Sequence, residues 1–145
     1  STQNVVPFSG FQPGTIVVKT GERKLYFVIG PDRALRFPVG VGRRGKTWTG
    51  RAVIDSKRVQ PAWQAPPEIW GHRSGTPPVI PGGAPNNPMG DAALTMRGGE
   101  YAIHGTNNPA SVGGFVSSGC IRMYNQDIRA LYQMVSVGTP VVIEQ

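Results

Sequence analysis

The sequence predicts a mostly β domain with one clear helix in its C-terminal half and a long Pro/Gly-rich flap. Three observations predict it. Val and Ile together number 25 against 4 Leu in 145 residues, and side chains branched at Cβ favour pleated strands over helices. Gly (20) and Pro (14) supply many turns and suit long helices poorly. A helical apolar stripe is legible in one stretch only, near the end. A chain of 145 residues is one ordinary domain able to bury a single core, and no apolar run reaches the roughly 18 residues of a membrane span.

Residues 1–13, with Pro7, Gly10 and Pro13, read as an N-terminal arm leading into a domain over 14–145. Short apolar runs begin at Thr15. Thr15–Lys19, Lys24–Ile29 and Ala34–Val39 are strand candidates separated by turn-like Thr20–Arg23 and Gly30–Asp32. Short links between three strands predict an antiparallel meander. Gly40–Gly45 reads as a flexible basic loop, and Gly50–Val59 as a fourth strand. Pro61–Gly90 holds 8 Pro and 5 Gly in 30 residues, too many breakers for regular structure. Trp63, Ile69 and Trp70 within it argue for an ordered flap over the domain. Ala92–Met96 and Tyr101–Ile103 are short strands. Ile128, Leu131, Tyr132 and Val135 then fall at i, i+3, i+4 and i+7, one apolar face of a helix. Asn125 is its expected N-cap, Asp127 suits the positive start and Gly138 the stop. Thr139–Ile143 closes the chain as a strand.

The net charge is +7, and 11 basic residues between Lys19 and Arg58 face only Glu22, Asp32 and Asp55. That balance suits a polyanionic partner: nucleic acid, an anionic membrane surface or a carboxylate-rich polymer. The single Cys excludes an intramolecular disulfide and a multi-Cys zinc site. The opening STQNVVPF lacks the basic and apolar regions of a signal peptide.

The stretch Tyr101–Tyr124 carries the chemistry. Cys120 sits in Ser117-Ser118-Gly119-Cys120-Ile121-Arg122, and His104 lies 16 residues earlier, where a strand yields to a loop. A free Cys is ordinarily a small buried hydrophobe and a single His a hydrogen-bonded structural group. Gly119 argues otherwise, because a glycine before a nucleophile lets backbone N–H groups approach a reacting carbonyl. Arg122 supplies local positive charge, which is expected to lower the thiol pKa. A thiol with a pKa of about 8.5 is mostly protonated at neutral pH, and a neighbouring imidazole is its usual activator. The loop through Gly113-Gly114 is long enough for His104 and Cys120 to meet. His72, inside the flap, reads as a surface or lid residue. Gly40–Gly45 superficially follows G-x-G-x-x-G, but no helix pattern follows it.

Ile103-His104-Gly105-Thr106-Asn107 followed by Ser117-Ser118-Gly119-Cys120-Ile121-Arg122-Met123 resembles the signature of the L,D-transpeptidase catalytic domain, the YkuD (ErfK/YbiS/YcfS/YnhG) family. Ile16–Val18 with Leu25-Tyr26, Phe37–Gly42, Pro61–Trp63 with Pro66-Pro67, and Asn87–Gly90 resemble further family segments, so the likeness runs over residues 14–145. The chain departs from the pattern in Ser118, where many members have His, in Thr47-Trp48-Thr49-Gly50, where Thr-Pro-x-Gly is common, and in Gln60-Pro61, which lacks the usual Asn.

The resemblance implies a mixed β-sandwich or barrel-like fold and an enzyme that forms 3→3 peptidoglycan cross-links. Cys120 would be the nucleophile and His104 the base. The backbone carbonyl of Gly105 would orient the imidazole, so that its side-chain identity hardly matters, and the N–H groups of Ser118, Gly119 and Cys120 would form an oxyanion hole. Arg122, Tyr101, Asn107 and Trp63 would contact substrate, with Arg122 open to a second reading, tying the Cys loop down through an ion pair. Trp48, Trp63 and Trp70 could line a groove or pack under the flap. No metal or cofactor is expected. Partners would be peptidoglycan stem peptides as donor and acceptor, an envelope lipoprotein or outer-membrane protein as another acceptor, and carbapenem inhibitors, in the periplasm or cell envelope after export. Two other readings compete. A cysteine hydrolase on the same scaffold would use water as acceptor, acting on stem peptides or on lipoprotein–peptidoglycan links. A basic β domain binding nucleic acid would use Phe27, Phe37 and Trp48 as stacking platforms.

Overall fold

The computed structural model describes residues 3–64, 79–96 and 101–145. The first half holds β1 (Asn4–Pro7), β2 (Ile16–Lys19), β3 (Lys24–Gly30), β4 (Arg33–Pro38), β5 (Val41–Gly42) and β6 (Gly50–Val59). The second holds β7 (Trp63–Gln64), β8 (Val79–Ile80), β9 (Ala92–Met96), β10 (Ala102–His104), β11 (Phe115–Ser117), β12 (Ile121–Arg122), helix α1 (Asn125–Met134) and β13 (Pro140–Glu144). One mixed sheet runs β1-β4-β3-β2-β13-β6-β9-β10-β12, and β11-β5 and β7-β8 form two small sheets.

The expected meander is β2-β3-β4, with Ile16 opposite Phe27 and Leu25 opposite Phe37. Strand β6 joins the two halves of the large sheet. Its residues 50–53 pair with β13, and from Ile54 onward it pairs with β9. A register shift between Ile54 and Ser56 leaves Asp55 as the extra residue of a bulge, which bends the strand and turns the sheet over on itself. The halves therefore enclose one core: Ile16, Val18, Leu25 and Phe37 from one side, Leu94, Ile103 and Ile121 from the other. Helix α1 seals it with Ile128, Leu131 and Val135, the stripe read from the sequence. Phe27 and Phe37 belong to this core, 8% and 0% exposed. They offer no face to a base, which removes two of the three platforms of the nucleic-acid reading.

Several boundaries differ from expectation. The leading segment is built into the sheet: Val5 pairs with Leu35, and Phe8 stacks on Tyr26 with centroids 4.4 Å apart. Phe8, Phe11 and Val6 cover a second apolar layer of Val17, Tyr26, Val28, Ala34 and Val142. A four-residue strand between Asn and Pro is too short to show an alternation, so the sequence read it as an arm. The helix N-cap is Tyr124, not Asn125, and it makes no side-chain cap bond. Gly138, at φ +99°, serves the turn into β13 and donates its N–H to Ile54 O, while the helix already ends at Val135. The basic loop begins as β5, held beside β11.

Of the flap, residues 61–64 and 79–90 are described; Pro66, Pro67, Ile69, Trp70 and His72 lie outside the described residues. Trp63 pairs with Ile80 at its base. Asn87, 1% exposed, organises that base by donating from Nδ2 to the carbonyls of Pro61, Ile80 and Pro81, while its Oδ1 accepts from Met89 N.

Candidate active site

Strands β10 and β12 lie side by side and parallel, with Ile103 opposite Ile121 and His104 opposite Arg122. Alternation along a strand sends neighbours to opposite faces. Ile103 and Ile121 point into the core. His104 and Arg122 share the other face with Cys120, which immediately precedes β12, and with Ala93 and Thr95 of β9. One strand spacing and two residues of rise put the Cα atoms of His104 and Cys120 about 8 Å apart, a span that an imidazole and a thiol on one face can bridge. The same face continues across Thr95, opposite Ser56, and Ala93, opposite Arg58. There Asp55, Ser56, Arg58, Thr95 and Met89 line an open cleft of about 580 Å³ beside the flap base.

His104 is 5% exposed, and its Nδ1 lies 2.5 Å from Gly105 O. A carbonyl can only accept, so the ring carries its proton on Nδ1 and leaves Nε2 as a bare acceptor. Burial pushes the His104 pKa down to about 4, with the Gly105 carbonyl pulling upward and the Arg122 charge adding to the depression. Burial also pushes the Cys120 thiol up, against smaller downward pulls from an Ala102 backbone hydrogen bond and from Arg122. The sequence-based expectation of a lowered thiol pKa is therefore corrected: Arg122 acts in the expected direction, but desolvation outweighs it. The resting pair is a neutral thiol beside a neutral imidazole.

The turn before the cysteine is held at each of its four peptides, from Ser117–Ser118 to Cys120–Ile121. Gly119 N donates to Ser117 Oγ at 3.1 Å, and Ser117 Oγ donates to Cys120 O at 2.6 Å. Gly119 O accepts from Trp48 Nε1 at 3.2 Å. Gly119 has φ +130°, and a Cβ there would press into the Tyr101 ring, 2.8 Å from Cδ1. Tyr101 in turn stacks on Trp48 at 4.9 Å and 16°. From the other side, Arg43 N donates to Ser117 O at 2.7 Å and Arg43 Nη1 to Ser118 Oγ at 2.9 Å. Gly40 and Arg122 exchange both backbone hydrogen bonds at 2.8 Å.

A second anchor holds the histidine loop. Asn125 Oδ1 accepts from Asp91 N at 3.1 Å and Thr106 N at 3.2 Å, and its Nδ2 donates to Thr106 O at 3.1 Å. A Cβ on Gly105 would run into Asn125 Oδ1 and stand 3.0 Å from Asp91 N. The side-chain identity of Gly105 therefore matters, contrary to the reading from sequence: its backbone orients His104, and its bare Cα leaves room for the staple.

The family model described as YkuD, L,D-transpeptidase catalytic domain, matches residues 13–143. The chain belongs to the L,D-transpeptidase catalytic domain family. Among similar proteins, Probable L,D-transpeptidase YbiS of Escherichia coli K12 is 37% identical over 135 residues, covering 87% of this chain and 43% of that protein. Putative L,D-transpeptidase YkuD of Bacillus subtilis is 49% identical over 61 residues, 42% of this chain and 37% of that one. The chain thus spans less than half the length of the curated relatives it matches. The fold is also that of L,D-transpeptidase 3 from Mycobacterium tuberculosis, with TM-score 0.69 at 16% identity over 90% of this chain and 60% of that one. The catalytic domain of the Enterococcus faecium L,D-transpeptidase, solved acylated by ertapenem, gives TM-score 0.64 at 19% identity, over 89% of this chain and 95% of that domain.

Placed on this L,D-transpeptidase domain, the expected site residues separate. Cys120, His104, Gly105, Ser118, Gly119 and Arg122 gather around one face of β10 and β12. Tyr101 lies against Gly119, beneath the cysteine turn. Asn107 is exposed on the loop after Thr106, and Trp63 is half-buried in β7. The Gly119 N–H is engaged by Ser117 Oγ, which takes it out of the expected oxyanion set of Ser118, Gly119 and Cys120. Arg122 has no salt-bridge partner among the described residues. Trp48, stacked on Tyr101, is no platform for a base either. Sequence reasoning missed Trp48, Ser117 and Asn125 as organisers of the site. Ser117 had a signal, a hydroxyl two residues before a glycine in a turn; Trp48 and Asn125 act across 71 and 19 residues of chain, with no local signature. Among the described residues no helix is long and apolar enough to cross a membrane.

Proposed function

We propose that this domain is a peptidoglycan L,D-transpeptidase of the cell envelope, working through a Cys120 thioester. The observation that carries the reading is His104, its Nδ1 held by Gly105 O so that Nε2 is left as the acceptor on the face it shares with Cys120. Nε2 takes the thiol proton as Sγ attacks the carbonyl between the third residue of a tetrapeptide stem and its terminal D-Ala. The oxyanion forms against the N–H groups of Ser118 and Cys120. His104 then returns the proton to the departing D-Ala amine, and the C–N bond breaks to leave the acyl-enzyme. The amine of a second stem attacks the thioester, gives a proton to His104, and expels the Cys120 thiolate, which takes that proton back from His104 as the cross-link forms. Since both groups rest neutral, the ion pair exists only while a substrate carbonyl is present to consume the thiolate.

The basic loop supports an anionic substrate. Arg43 reaches Ser118 and Arg122 stands beside His104, so stem carboxylates meet guanidinium groups at the site. The net charge of +7 fits the same carboxylate-rich wall. The test is incubation with tetrapeptide-bearing muropeptides, followed by mass spectrometry. Free D-Ala together with 3→3 dimers is the expected result. Tripeptide without dimers replaces transpeptidation by hydrolysis, and intact tetrapeptide overturns the reading.

A further inference from the structure

Trp48 was left by the sequence between groove lining and packing, and the geometry gives it a third role. Its indole N–H donates to Gly119 O at 3.2 Å, and its ring lies flat on Tyr101, which itself fills the space a Gly119 side chain would need. Gly119 O and Cys120 N–H belong to one planar trans peptide, so the two point in opposite directions. Whatever holds the carbonyl therefore aims the N–H. We propose that Trp48 is a positioning residue for the oxyanion hole, setting the direction of the Cys120 N–H through the Gly119 carbonyl. The inference rests on the acyl-transfer reading given above.

Two features make the effect specific to that peptide. The neighbouring groups are already fixed by another residue, since Ser117 Oγ holds both Gly119 N and Cys120 O. With its ends pinned, the Gly119–Cys120 peptide has one remaining freedom, rotation of its plane, and the indole bond stops it. Gly119 at φ +130° is free to make that rotation, because no Cβ resists it.

The experiment separates oxyanion stabilisation from thiol reactivity. Acylation of Cys120 by p-nitrophenyl acetate forms the Sγ–C bond, passes the thiol proton to His104 and expels nitrophenolate through an oxyanion intermediate. Alkylation by iodoacetamide displaces iodide and builds no oxyanion. Two variants are compared with the wild type: Trp48→Phe, and replacement of Trp48 by benzothienylalanine, which keeps the bicyclic shape and the stack but puts sulfur in place of N–H. In both, the nitrophenolate burst is expected to slow by about 10-fold or more, below the 10²–10³ of losing a donor outright, because Ser118 N–H remains. Alkylation stays within about two-fold, and the tetrapeptide kcat falls with KM little changed. An unchanged burst in the benzothienylalanine variant overturns the inference. So does a parallel loss of alkylation, which would make Trp48 a support of the thiol. Failure of the transpeptidase reading shows separately, as a wild type that leaves muropeptides intact while the ester and alkylation rates still report on the hole.

Discussion

Acidification provides a direct measure of how His104 is buried. The folded protein holds its pKa at about 4 against an ordinary value of 6.5. Between those values the unfolded chain binds up to one more proton than the folded one, so stability falls as pH falls. The loss begins below the unfolded pKa and is complete only below the folded one. Each pKa unit is about 1.4 kcal/mol, so going from about pH 7.5 to about pH 4.5 removes roughly 2.5 kcal/mol through this group. For a domain of this size that is a drop of about 8 °C in Tm. Other groups titrate in the same window, so the quantity to read is the difference between the wild type and His104→Gln, which cannot take the proton. The variant's Tm, followed by calorimetry at both pH values, is expected to fall by about 8 °C less than that of the wild type. Equal losses in the two proteins refute the buried, neutral histidine, and with it the free Nε2 on which the base role depends. The kinetic counterpart has the same sign: kcat/KM holds down to weakly acidic pH and falls only near pH 4, where imidazolium forms.

Other perturbations have expected outcomes. Cys120→Ala abolishes D-Ala release while circular dichroism and Tm stay near wild type; surviving turnover removes the thioester mechanism. Exposure to a carbapenem adds one inhibitor mass to the wild-type chain and none to Cys120→Ala, read by intact-mass spectrometry. Gly105→Ala displaces Asn125 from its three hydrogen bonds and costs about 2–3 kcal/mol, seen as an urea midpoint shift, with a larger relative loss in kcat than Asn125→Ala. Phe8→Ala, which strips the stack from Tyr26, costs about 2 kcal/mol in urea unfolding and leaves turnover at the active site unchanged.

How much of this was legible in the sequence depended on the range of the interactions. The meander, β6 and the α1 stripe follow from residue type and spacing over a few positions, and they stand where the sequence put them. Elements made by distant partners did not show. The two residues of β12 become a strand only because β10 lies beside them and Gly40 caps them from the other side. Val5-Val6 become a strand only against β4, and Asn125 is better used stapling the His104 loop than capping its own helix. The site was read as a pair, His104 and Cys120, because the chemistry requires those residue types. The parts that aim the pair were invisible, since a tryptophan in a loop and an asparagine at the start of a helix each have a commoner local role. The direction of the thiol pKa was misjudged for a similar reason: a neighbouring Arg can be read from sequence, whereas the depth of burial cannot.

The placement of His104 and Cys120 on one face of the sheet explains why so short a strand suffices. In β10, Ala102 and His104 lie on one face and Ile103 faces the core, and in β12 Ile121 faces the core while Arg122 lies on the face it shares with His104. Slipping either strand by one residue would drive an imidazole or a guanidinium into a core of Leu94, Met96 and Ile128, and would bring an isoleucine out. Burying an unpaired polar group costs several kcal/mol, more for a charge, so the apolar side of each strand fixes the register of its reactive side. The core residues Ile103 and Ile121 thus determine the separation of His104 from Cys120. The sequence Ile-His, echoed by Cys-Ile-Arg, places one anchoring side chain between groups that must share a face, and the alternation that makes the fold is the same alternation that assembles the site.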